Sequence, residues 1–118
     1  MVVHALVLAC CFVNTHPVGW AAVNLGLAAA DYETAHATQS LALRNYCRES
    51  NPLFGGPHPT RATFYTRGVP IDLAIESLGW VLNRKVPRKL WIHRVWRFPF
   101  AAVSYAHIAG IESNLACR

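Results

Sequence analysis

Three stretches of this chain share one contradiction. Each is about as long as a membrane-spanning helix and mostly apolar, yet each is interrupted by charged or amide side chains. A span needs roughly 20 mostly apolar residues. The first stretch runs from about Val18 to about Leu41, the second from about Arg61 to Asn83 and the third from about Val95 to Ala116. An ionisable group left in lipid costs about 2.5–3.5 kcal/mol on insertion scales. Where the interrupting residues fall around each helix therefore decides what the chain can fold into.

They fall at helical spacing. Asn24, Asp31, Thr34 and Thr38 share a face of the first segment, as do Asp72, Glu76, Gly79 and Asn83 in the second, and Ser104, His107, Ile111 and Asn114 in the third. Steps of three, four and seven stack side chains on one side of a helix. Three such stripes turned inward predict an all-α fold: a membrane-embedded bundle of three transmembrane helices plus a short N-terminal hydrophobic segment. The 118 residues suffice for one such domain, 1–118, with helices at about 18–41, 61–83 and 95–116. Composition leans the same way. Hydrophobic residues make up 53% and charged residues only 14%, against about a quarter charged in soluble domains. Mean hydropathy is only +0.23, so the lean is modest.

Proline and glycine mark the boundaries. Pro17 suits the first turn of a helix, Pro70 predicts a kink in the second, and Pro99 lies in the first turn of the third. Residues 42–60 hold Asn51-Pro52 and the run Gly55-Gly56-Pro57-His58-Pro59, which is turn chemistry. The apolar run Val2–Val13, broken by His4, is read as a retained segment, either interfacial or a short extra helix. It lacks the Lys or Arg that precedes a signal-peptide core.

The net charge is +5, but the basic residues gather between apolar segments, so nucleic acid is excluded as a partner. The 84–97 connection carries six Lys or Arg and no acid. Trp beside basic residues is typical of the headgroup level. Arg88, Lys89, Trp91, Arg94, Trp96 and Arg97 are therefore candidate contacts to lipid or to a partner subunit. The positive-inside bias predicts a multi-pass inner-membrane protein with this loop cytoplasmic and the 42–60 loop outside. Cys47 and Cys117 then share the outer side, where a disulfide between them is one reading and two free thiols the other. Cys10 and Cys11 read as small apolar residues.

Depth along the spans brings Asp31, Asp72 and His107 to a common level. Three readings of such a cluster stand open: a metal site, a proton relay, or a hydrogen-bond network that fixes helix register. His36, on another face, and His107 are candidate axial ligands for a haem or chlorophyll held through a partner interface; bound lipid is the other cofactor class. Phosphate loops, a nucleophile elbow and an HExxH helix are absent, so no enzyme activity is indicated.

Asp31 and Thr34, then Glu49-x-Asn51-Pro52, then His107 and Asn114 form a pattern. It resembles small uncharacterised bacterial membrane proteins that carry Asp-x-x-Thr followed by Glu-x-Asn-Pro. The resemblance covers residues 20–114 and implies a bacterial membrane location with three or four helices, without implying an activity. The functional expectation is a non-catalytic accessory or structural subunit of a larger bacterial membrane protein complex, partnered by other subunits and lipid. The competing expectations are a small membrane protein with an intramembrane metal, tetrapyrrole or proton-relay site, and a soluble helical protein with buried polar groups.

Overall fold

The computed structural model describes residues 16–39, 49, 51–56 and 58–117. The N-terminal segment, Cys10, Cys11 and Cys47 lie outside these. Three helices dominate: α1 (Pro17–Thr38), α2 (Arg61–Lys85) and α3 (Arg97–Ala116). Two short 3-10 turns, Pro52–Phe54 and Trp91–Trp96, precede α2 and α3. Among the described residues there is no strand.

Local chemistry sets the helix starts. The His16 ring accepts a hydrogen bond from the Val18 amide, and Pro17 occupies the first turn, where its missing N–H costs nothing. Thr60 Oγ1 accepts from the Thr63 amide and opens α2. Pro70 lies inside α2, which continues through it. The Glu49-x-Asn51-Pro52 stretch is a capped turn: Glu49 Oε1 accepts from the Asn51 amide at 2.8 Å, and Asn51 Oδ1 accepts from the Leu53 amide at 3.1 Å. Gly55, at φ 77°, supplies the left-handed residue that ends it. Arg67 Nη1 donates to the Leu53 carbonyl at 3.0 Å and fastens this turn to α2.

The helices run up, down and up. Trp20 meets Phe100, and Tyr32 meets Phe64, so α1 is antiparallel to α2 and parallel to α3. One apolar cluster, Trp20, Trp96 and Phe100, closes the end near the basic connection. A second, Ala28, Tyr32, Ala35 and Phe64, lies towards the other end. Full burial of one such large side chain stabilises by about 1.5–3 kcal/mol. Polar side chains occupy the layers between: Asn24, Glu76, Ser104 and His107 are all buried.

Helix count and class follow the sequence, but the finer expectation of three transmembrane helices does not follow from helix composition. No helix among the described residues is long and apolar enough to cross a membrane. The lengths, 22, 25 and 20 residues, would suffice at 1.5 Å per residue; the inward-facing carboxylates and amides lower the apolarity. Trp96 is also displaced from the expected headgroup surface. It is 2% exposed and packs edge-on against Phe100 at 5.8 Å, because the 3-10 turn rotates it under the bundle.

Candidate functional site

Asp31 on α1, Asp72 on α2 and His107 on α3 converge. His107 Nδ1 lies 2.8 Å from Asp31 Oδ2, and His107 Nε2 lies 2.8 Å from Asp72 Oδ2. With both carboxylates ionised they can only accept, so both ring nitrogens donate, and only the imidazolium has two N–H donors. The His107 side chain is 6% exposed, against 17% for Asp31 and 20% for Asp72. One buried cation thus bridges two anions and ties all three helices together.

Each carboxylate has further support. Asn114 Nδ2 donates towards the Asp31 carbonyl at 3.0 Å and towards Asp31 Oδ1 and Thr34 Oγ1 at 3.1 Å each. Tyr32 OH donates to Asp72 Oδ2 at 3.4 Å, and its ring stands edge-on to His107 at 5.4 Å. Gly110 faces the Asp31 carboxylate so closely that a Cβ there would collide with it. A second knot lies about two turns away. Asn24 Nδ2 donates to Glu76 Oε1 at 2.6 Å and to the Phe100 carbonyl at 3.0 Å, while its Oδ1 accepts from Ser104 Oγ.

Among the described residues no group of three or more His, Cys, Asp or Glu is placed to hold a metal ion. What the chain of contacts can do is hold, or pass, a proton between two carboxylates through a single ring.

Beyond Asp31 lies a cavity of about 240 Å³, lined by Asp31, Tyr32, Glu49, Asn51, Phe54, Phe64, Gly110, Ser113 and Asn114, with Ala35 and Ala106. Every residue of the Asp-x-x-Thr and Glu-x-Asn-Pro pattern is therefore in the wall or bonded to it, apart from Pro52.

The other expected site residues lie elsewhere. His36 is exposed on α1, away from the His107 bridge. Arg88, Lys89, Trp91 and Arg94 are exposed at the opposite end of the bundle, Trp91 at 86%. Arg97 is half-buried, its guanidinium 5.5 Å from the Trp96 ring centre. Cys117, just past α3, is disulfide-bonded; Cys47 is outside the described residues. Helical spacing assigns Glu76 to a polar stripe, and the structure adds its pairing with Asn24. Matching depth on α1 and α2 was the signal available for it.

The fold and site define a three-helix bundle braced by a carboxylate–imidazolium–carboxylate bridge. Comparison of the chain with family models, curated proteins and solved structures finds no match.

Proposed function

We propose that this chain is a non-catalytic, membrane-embedded helical subunit of a larger membrane protein complex. One observation carries the reading: polar side chains share the interior with the apolar clusters, while large apolar side chains stand on the outside. Asn24, Glu76, Ser104 and His107 are buried, while Leu25, Leu73, Leu78, Val81, Phe98 and Tyr105 are at least half exposed. Every exposed residue from 18 to 30, from 70 to 81 and from 98 to 111 is uncharged. Water would not favour that arrangement; lipid or a neighbouring apolar helix would. Averaged along a helix, the inward polar groups hide this outer surface from hydropathy.

The uncharged belt extends about 20 Å at 1.5 Å per residue, short of the roughly 30 Å hydrocarbon core. Arg67, Arg84 and Lys85 at its edges can extend along it and keep their charges in the headgroups. The short belt also favours a bundle docked against larger neighbours. On α1, Ala22, Gly26 and Ala30 recur every four residues on the exposed side, and nothing lies within 4 Å of where a Gly26 Cβ would stand. Small residues at that spacing permit close approach of another helix in lipid. The basic, Trp91-bearing end would then face cytoplasmic anionic headgroups. The Cys117 disulfide, at the other end, agrees with an oxidising outer side.

Carbonate washing of membranes, followed by native-size analysis in mild detergent, tests this. The chain stays with the membrane and runs in a discrete complex, and Gly26→Leu releases it from that complex without unfolding the bundle. Release by carbonate, or a native chain that is monomeric in detergent, overturns the reading.

A further inference from the structure

The cavity beyond Asp31 is open at its rim, where Asn51, Ala106 and Ser113 are exposed, and closed at its back by the buried rings of Tyr32 and Phe64. At about 240 Å³ it is smaller than the roughly 300–1,000 Å³ pockets that hold drug-sized ligands, so its occupant is a small molecule or the end of a longer one. The unused hydrogen-bonding capacity in its wall decides the chemistry. Among the described residues, Glu49 is bonded through one oxygen, to the Asn51 amide. The amide N–H groups of Asn114 are committed to Asp31 and Thr34, and among the described residues its side-chain carbonyl oxygen has no hydrogen bond. The strongest open groups are acceptors.

Charge points the same way. Asp31 and Asp72 share one imidazolium, which leaves a unit of negative charge, and Glu49 adds another. Among the described residues the lining contains no Lys, Arg or His. Three aromatic residues, Tyr32, Phe54 and Phe64, complete the wall and give it an apolar side. A bare metal ion suits the site poorly: no ligand set for one exists among the described residues.

We propose that this cavity binds a small organic ammonium group, with Glu49 and the Asn114 carbonyl as its acceptors and the aromatic wall against its carbon atoms. The ammonium could belong to a free amine or to the headgroup of phosphatidylethanolamine; the shared feature is a cation carrying several N–H donors. The inference stands on the cavity alone and is independent of the membrane and subunit reading.

Calorimetry on the purified full chain in mild detergent tests it, with ethanolamine as the probe and ethylene glycol as a neutral control of similar size. A parallel arm places the chain in nanodiscs of phosphatidylglycerol with and without phosphatidylethanolamine, and measures competition with ethanolamine. Ethanolamine binds and ethylene glycol does not. Glu49→Gln, which keeps an acceptor for the Asn51 amide while removing the charge, weakens binding at least tenfold. Ala106→Leu, which fills the rim, weakens it as well, with helical content unchanged in both. Loss of ethanolamine binding only in discs that contain phosphatidylethanolamine identifies the lipid as the natural source; unchanged binding in both identifies a free amine. Absence of amine binding in detergent and in discs alike overturns the proposal, as does equal affinity in Glu49→Gln. Neither outcome bears on whether the chain is extracted by carbonate.

Discussion

His107 bonds carboxylates from both of the other helices. Its ring is held at both nitrogens by carboxylates and against its face by Tyr32. Breaking a buried ion pair by removing one partner costs about 3–5 kcal/mol, because the abandoned charge stays buried. In His107→Ala, Asp31 and Asp72 would face each other without a cation. We expect a loss of about that size in unfolding free energy, measured by denaturation in detergent. Adding Asp31→Asn and Asp72→Asn to His107→Ala should recover part of it. The exposed Glu33–Arg61 pair, 3.0 Å apart with side chains 45% and 59% exposed, supplies the control; Arg61→Ala should cost under about 1 kcal/mol. Equal losses in the two single variants would remove the bridge from its central place.

At the scale of elements, the helices touch where α2 lacks side chains. Gly79 sits under the Phe100 ring and the Trp96 carbonyl, so an added Cβ would collide with both. Alanine gains up to about 1 kcal/mol in helix propensity over glycine, but overpacking costs typically about 1–3 kcal/mol. The collision involves backbone as well as a ring, so packing wins, and Gly79→Ala should lower stability. Gly26→Ala, with open space around it, should be neutral or stabilising in the isolated bundle. Thermal unfolding of both variants checks the pair; a stabilised Gly79→Ala would mean that α2 and α3 pack less closely.

Much of this level was legible beforehand. Turn and cap residues placed the helices within a few residues of where they lie, and helical spacing with matched depth brought Asp31, Asp72 and His107 together. Two features were not legible. Trp96 has a headgroup residue's neighbours, Val95 and Arg97, and only the 3-10 geometry turns it inward. The cavity arises because Arg67 fastens the Asn51-Pro52 turn to α2, a contact between residues 14 apart that no periodicity announces.

For the whole molecule, the two ends differ in chemistry while the middle is uncharged outside. Six of the Lys and Arg residues and Trp91 crowd the end where α2 passes to α3; the acidic cavity, the disulfide-bonded Cys117 and the exposed Arg61 and Arg67 occupy the other. Under the proposed membrane reading such polarity orients the bundle, since Lys and Arg favour the cytoplasmic side and disulfides persist outside the cytosol. In a water-bathed bundle the two ends would be equally accessible, and that difference can be measured. Lys89→Cys lies in the basic turn and Ser113→Cys at the cavity rim; both positions are exposed. With a membrane-impermeant maleimide on intact cells from which the outer membrane has been removed, each variant is compared with the unsubstituted chain. Ser113→Cys should gain label at once, and Lys89→Cys only after permeabilisation. The opposite pattern would reverse the orientation while keeping the span. Equal labelling of both before permeabilisation would mean that no bilayer separates the two ends, and the uncharged belt would then belong to protein contacts alone.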